Sequence, residues 1–506
     1  MRAHIARMER KKRPGARNVV PGITAGLLAV LLVGTMCHAG ATHAAQGSSG
    51  SVKVSGHHVT GAGPNHSTWY LAEGSNNWGF NTSVAIVNPN DIAVDAMITY
   101  MTNGGEIPGG TVNLPPRSQA TVLPYEVVGG SDFSTRVKCK EGATIAVERM
   151  MYMPEDDASQ LCVWPQEELR GHHSSIGVTS PSGTWYFPEG SSDWGFECWL
   201  LVQNPNRQEA TCKVTYMIEG GGPRTFEKKL QANSRRSFNI GDDIGMKDTS
   251  IRVDANVPVV AERSMYVENK KRKEGHVSIG ADSPSRDFFL AEGSTAWGFT
   301  TYILVQNPNS DSAQVTLTYM TDEGLRTQPV FTIPPNSRKT VRVNDVLPDV
   351  DFATYIHGSV PIVAERAMYR DFPNQEGQDH TSDFACHDSI GLAEPHTTFY
   401  LPNGMGKTDM FGANFSDTYI LIQNPNPSEV TVEISYLTHD ELENTTSTVD
   451  VPAYSRRTYS MSDSGIEGSR AIIVSSKTAG CKIVVEKSIY WNSPASGTCT
   501  IGCFED

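Results

Sequence analysis

One apolar phrase with an acid and a base at its centre occurs four times: IAVERMMY at 145, VVAERSMY at 259, IVAERAMY at 362 and IVVEKSIY at 483. The rest of the chain keeps the same beat. Aromatic openings stand at 69 (WYLAEGSNNWGF), 185 (WYFPEGSSDWGF), 288 (FFLAEGSTAWGF) and, in altered form, 399 (FYLPNGMGKTDMFG). They are 116, 103 and 111 residues apart. Between opening and phrase lie VNPN or QNPN, then TYM-like segments, then PPRSQATV, QANSRRSF, PPNSRKTV and PAYSRRTY. Each copy closes on SIG or TIG. This period is the length of a compact domain and too long for a solenoid repeat, so the chain is built from four copies of one unit.

Within a copy the pattern is β. TYILVQNPN is an alternating apolar run ended by a turn cluster, and AQVTLTYM alternates again with β-branched residues. No long amphipathic helical stripe is present. Seven or so short strands per copy predict an all-β chain of four tandem immunoglobulin-like β-sandwich domains. The alternative is a β-propeller in which each copy supplies two four-stranded blades. Blades should repeat at half the observed period, and no half-period is seen. The predicted boundaries are 67–182, 183–285, 286–396 and 397–506.

The set WYLAEGS, LVQNPN, VTYMT, NSRRT, VAERSMY and HDSIG, spread over residues 69 to 502, resembles tandem repeats of secreted and cell-surface bacterial proteins described as domains of unknown function. The resemblance implies an exported β-sandwich array and no established activity. The fourth copy departs from the pattern: Asn403 replaces the Glu of AEG, and Trp-Gly-Phe is missing.

The N-terminus agrees with export. Seven Lys and Arg residues precede a fourteen-residue apolar stretch, Ile23 to Met36, and small residues follow. This is the pattern of a secretory signal peptide over residues 1–41, with a flexible linker over 42–66. If the segment is retained uncleaved, it is the one membrane contact expected, although it is short for a span. Its removal takes the net charge from −14 to −20. So acidic a chain repels phosphate backbones, and nucleic acid is not an expected partner.

Neighbouring residues of a strand face opposite sides, so the Glu and Arg of VAER cannot act together on one substrate. Glu148, Glu262, Glu365 and Glu486 are expected to form structural ion pairs with the recurring bases Arg235, Arg338 and Arg456, a slot held by Gln119 in the first copy. Glu73, Glu189 and Glu292 of AEG are expected to cap local backbone. His172, His173, His276 and His387 are expected to pack at the junctions between copies. The acidic loops 154–157, 241–245 and 348–351 lack calcium-loop spacing. With no G-x-S-x-G, P-loop or H-E-x-x-H motif, no catalytic, cofactor or metal residue is assigned.

Nine cysteines are present, and Cys37 leaves with the signal. The other eight, Cys139, Cys162, Cys198, Cys212, Cys386, Cys481, Cys499 and Cys503, are disulfide candidates in an exported chain. Cys198 with Cys212, across the Asn-Pro-Asn turn, and Cys139 with Cys162 are the expected local pairs. Pro-containing joints at 178–183, 281–286 and 392–397 predict units stacked end to end in an extended array. The expected function is a non-catalytic structural, adhesive or binding array at the bacterial surface, with envelope polysaccharide or another surface protein as partner. The alternative is a secreted carbohydrate-active enzyme or its carbohydrate-binding subunit. A concave site with exposed Trp78, Trp194 and Trp297 favours the carbohydrate reading; burial of those rings favours the structural one.

Overall fold

Alternating runs become strands wherever one face can be buried, and in this chain nearly every such run does. The computed structural model describes residues 66–154, 169–269, 272–371, 384–406, 416–437, 445–491 and 496–506. The signal and linker expectations, and Cys162, lie outside the described residues.

The first copy holds β1 (Thr68–Leu71), β2 (Asn81–Asn88), β3 (Val94–Thr102), β4 (Gly105–Leu114), β5 (Ser118–Val122), β6 (Ser134–Cys139), β7 (Ala146–Pro154) and β8 (Leu169–Ile176). They form two antiparallel sheets, ordered β1-β6-β3-β4 and β5-β2-β7-β8. Trp69, Ile86, Tyr100, Val137 and Val147, drawn from both sheets, are buried in one core. The second copy repeats this plan with β9 (Ser182–Phe187), β10 (Phe196–Asn204), β11 (Ala210–Ile218), β12 (Pro223–Leu230), β13 (Ser234–Asn239), β14 (Thr249–Asn269) and β15 (Arg272–Ile279). Here β6 and β7 are fused. The single 21-residue β14 pairs with β9 and β11 through its first half and with β10 and β15 through its second. The third copy has an equivalent 20-residue strand, Phe352–Asp371, and ends on the strand Phe384–Ile390; the fourth ends on Ser496–Ile501 and Cys503–Glu505.

The all-β expectation therefore holds, with two packed sheets per copy. The strand order differs from the ABED and CFG sheets of an immunoglobulin domain: the sixth strand lies between the first and third. The Asn-Pro-Asn motif explains part of this. Asn88, Asn204, Asn307 and Asn424 are fully buried. The Asn88 side-chain amide donates to the carbonyls of Ile92, Leu114 and Pro115, and its oxygen accepts from Asn90. The same clamp recurs at Asn307. It satisfies backbone groups that a buried turn would otherwise orphan, and it carries the chain from one sheet to the other. The turn is thus not a hairpin. Cys198 on β10 and Cys212 on β11 lie in different sheets and are unpaired. Cys139, Cys386, Cys481, Cys499 and Cys503 are likewise free thiols, so the disulfide expectation is corrected for all seven described cysteines.

The largest departure concerns how the copies meet. The described residues, from 66 to 506, belong to one compact unit. The closing strands β8, β15, Phe384–Ile390 and Ser496–Ile501 touch in the cyclic order first–second–third–fourth–first. The copies close into a ring with these four strands at its axis, and the extended array is overturned. A propeller also closes on an axis, but here each copy contributes a two-sheet sandwich with its core between the sheets. Among the described residues no helix is long and apolar enough to cross a membrane.

Candidate functional site

The VAER phrase is the connector of this ring. Strand alternation points Glu365 and Arg366 to opposite faces, and in the ring opposite faces meet opposite neighbours. Glu365 turns back to the second copy, where it accepts from the Glu189 amide at 3.0 Å and pairs with Arg263 at 2.5 Å. Arg366 turns forward to the fourth copy and pairs with Glu486 at 2.5 Å. The other links are Arg149 to Glu262 at 3.2 Å and Lys487 to Glu148 at 2.7 Å. The four pairs run round the ring and return to the first copy. Glu148, Glu262, Glu365 and Glu486 are indeed ion-paired, but their bases are Arg149, Arg263, Arg366 and Lys487 of adjoining copies. Arg235, Arg338 and Arg456 do other work and correct the expected pairing. Arg235 approaches Asp132 at 3.9 Å, Arg338 donates to the Thr249 carbonyl and pairs with Glu219, and Arg456 approaches Asp351 at 3.8 Å. Each of these also reaches into the preceding copy.

The AEG glutamates do not cap. Glu73 accepts from Arg149 at 2.9 Å and from the Tyr266 hydroxyl at 2.8 Å. Its glycine has a packing role: a Cβ on Gly74 would lie 2.6 Å from the Phe133 ring. The histidines sit at the joints as expected and are buried. His173, His276 and His387 bond the hydroxyls of Tyr266, Tyr369 and Tyr490 in the next copy at 3.0, 3.2 and 2.9 Å. Phe80, Phe196 and Phe299 pack on the same tyrosines. The first three joints therefore share a buried set of Glu, Arg and His, with Tyr and Phe rings packed on it.

Crowding acids around one guanidinium splits their titration. Burial raises the Glu73 pKa, but Arg149, His173 and hydrogen bonds from Ser264 and Tyr266 outweigh it and hold it below the ordinary value. Burial pushes Glu262 up to about 7; Arg149 opposes this and Glu73 adds to it. At the second joint burial likewise works to raise Asp388, yet His276 and Arg263 hold it low, while burial raises Glu365 against the pull of Arg263. Burial lowers His173 and His387 to about 4.

Two buried groups have ligand atoms close enough to suggest a metal, Glu189 with His276 and Asp388, and Glu292 with His387 and Cys499. In the first, both His276 nitrogens are committed, to Asp388 and Tyr369, and Arg263 bonds Asp388. In the second, Arg366 lies 3.1 Å from the Cys499 sulfur and 3.8 Å from Glu292. A guanidinium already supplies the cation in each, and both groups read as parts of the joints.

The first joint also contains a cavity of about 610 Å³ between the first two copies. Its walls include Trp78, Phe80, Trp199 and Tyr266, with Glu73 and Glu274 among its acids. Trp78 is 74% exposed and Trp194 of the next joint 76%, while Trp297 is half-buried against the core. Trp78, Trp194 and Trp297 all have φ near +60°, a left-handed backbone that is strained for a bulky residue. An Asp fixes the loop at each place. Asp132, Asp248 and Asp351 accept from Ser75, Ser191 and Ser294, and the Trp194 indole N–H donates to Asp248 at 3.1 Å. Three copies thus place a tryptophan on strained, braced backbone, and the first two hold its ring out of the core.

The sequence reading missed Arg149, Arg263, Arg366 and Lys487 as ring partners, and Glu274, Trp199 and Tyr266 as cavity walls. The signal for the first group lay in the Glu-Arg adjacency itself. The signal for the second lay in departures from the repeat. Glu274 stands where the other closing strands carry Gly171, Ala385 and Ser496, and Trp199 where the other copies carry Ser83, Tyr302 and Tyr419.

Among known families, one described as "Family of unknown function (DUF5719)" matches residues 258–361. The matched stretch runs from the proline before VVAERSMY to its counterpart before IVAERAMY, one period of the repeat. None of the curated proteins matches. Among solved structures, the Thermotoga maritima protein 1070 is similar at 24% identity and a TM-score of 0.19, over 20% of this chain and 93% of its own. The Anabaena sensory rhodopsin transducer is similar at 27% identity and a TM-score of 0.15, over 16% of this chain and 92% of its own.

Proposed function

We propose that this chain is a non-catalytic ligand-binding protein of the bacterial cell exterior, with its site in the cavity between the first two copies. The observation that carries the reading is Trp78, exposed at that cavity on strained backbone. Aromatic rings lining a concave site give a ligand apolar area, and a few polar groups orient it. Flat aromatic faces beside carboxylates suit the ring of a surface glycan, the partner expected from the sequence. The buried ion pairs serve closure of the ring and leave the binding role to the cavity. Immunoglobulin-like adhesive arrays engage partners through extended surfaces; here the ring concentrates recognition at a joint.

The test is binding of bacterial envelope glycans to the whole chain, followed by intrinsic fluorescence. Trp78→Ala should abolish the response with no change in melting temperature, since the ring is largely exposed. Unchanged binding by this variant overturns the assignment.

An enzyme reading draws on Glu274, a buried carboxyl in a cavity. Glycoside hydrolysis needs a second free carboxylate across the bond, and Glu73 is tied to Arg149 and Tyr266. Turnover of aryl glycosides that Glu274→Gln abolishes would favour that reading.

A further inference from the structure

The three joints that carry the tryptophan clip are not equal, and the differences point inward at the first. Glu274 is 5% exposed and lines the cavity, yet neither carboxylate oxygen has a hydrogen-bond partner of normal geometry. The Ser496 hydroxyl and the backbone N–H groups of Gly275 and His172 approach it, and among the described residues no Arg or Lys pairs with it. Every other buried acid at the first two joints has a cation beside it: Glu73 and Glu262 share Arg149, and Glu365 and Asp388 share Arg263. Arg235, also on the cavity wall, faces Asp132. Glu274 is thus a buried acid lacking a counter-charge in a space large enough for a ligand. A buried carboxylate is costly unless paired.

The walls add a second requirement. Trp78, Phe80, Trp199 and Tyr266 offer π faces, whose negative quadrupole attracts a cation far more than a neutral group of the same shape. Glu274 has no acidic equivalent in the other three copies, and the Trp199 slot holds Ser83, Tyr302 and Tyr419 there. A role in ring closure would demand an acid at the Glu274 position in every copy.

We propose that the cavity of the first joint binds an organic cation, an alkylammonium group that sits among these aromatic rings with Glu274 as its counter-ion. This rests on the binding role assigned above and names its ligand chemistry. The ammonium group can belong to a free small molecule or to an amino sugar of a glycan.

The test pairs isosteres. Calorimetric titration of the whole chain with choline and with 3,3-dimethyl-1-butanol compares a cation with its neutral copy. Glucosamine against glucose makes the same comparison on a sugar. The proposal expects choline or glucosamine to bind at least ten-fold more tightly than its neutral partner. Choline alone binding identifies a free cation; glucosamine binding more tightly identifies an amino sugar. Glu274→Gln should remove the preference and Trp78→Ala the binding, whereas Trp194→Ala at the second joint should change neither. Equal affinity for charged and neutral members overturns the cation and leaves the binding role standing. No binding of these probes, with envelope glycans still bound in a Trp78-dependent way, does the same. No binding of probes or glycans overturns both.

Discussion

The ring has three joints of one kind and a fourth of another. Where the chain runs on from one copy to the next, the interface buries Glu, Arg, His and Tyr together. Where the fourth copy meets the first, no linker joins them, and the chemistry is plainer. Asn403 replaces the AEG glutamate, Thr498 the histidine, Gln119 the arginine of the NSRR slot, and Lys487 the arginine of VAER. One buried pair survives, Lys487 with Glu148. Around it, Gln119 accepts from the Asn403 amide at 2.7 Å, and Met150, Tyr152, Met405, Ile489 and Trp491 make an apolar cluster. His172 stacks on Trp491 at 4.1 Å. Charged networks are exacting, because every member must find its partner. A tether holds the first three joints in register while their networks form. The untethered joint closes mainly on apolar and neutral polar contacts, which tolerate small errors of approach. The copies are also made unlike at that end, so the fourth copy's free face matches the first copy's and no other.

The largest effect should come from breaking a charged joint. Arg366→Met leaves Glu486 and Glu292 buried without their cation, and a loss of about 3–5 kcal/mol is expected, read as a fall in denaturation midpoint at pH 7. A change under 1 kcal/mol would show that these joints do not hold the ring.

The next separates the joints by pH. His387 titrates near 4 in the folded chain and near 6.5 unfolded. Between these values the unfolded state holds more protons, so stability falls as pH is lowered from about 6.5 to about 4. The effect is at most about 3 kcal/mol. His387→Thr, which copies the seam residue Thr498, removes this dependence. The gap between wild type and variant should narrow on acidification, and a constant gap would refute the assignment.

The smallest effect belongs to the seam. Replacing both Lys487 and Glu148, by Met and Gln, exchanges a buried pair for neutral groups in an already apolar setting. The expected cost is about 1 kcal/mol or less. The matching double change at Arg366 and Glu486 should cost more, because Glu292 remains.

Much of this was legible in the chain. Alternation gave away the β class, because burial of one strand face is a local demand. The opposite facing of Glu365 and Arg366 followed from the same alternation. What did not follow was that two opposite faces meant two different neighbours. Closure depends on the turns made at all four joints adding up to a full circle, and no single residue encodes that sum. The prolines at the joints limit local geometry and say nothing of that sum. The disulfide expectation failed on a related point: a turn reveals that the chain reverses, and Asn204 shows only in three dimensions that it changes sheet. The cavity was legible only by subtraction, since Glu274 and Trp199 look unremarkable until set against the other copies.

The cyclic contact of the four closing strands has a consequence for how the protein comes apart. A row of units can fray, since its last member leaves by breaking one interface. In a closed circuit every member has two, so releasing any copy costs twice as much, and the first opening leaves the remaining joints fewer reasons to hold. Partial unfolding is suppressed, and with it the exposed strand edges on which proteases and aggregation act. A molecule that has no end at which to begin unravelling gains persistence from its topology.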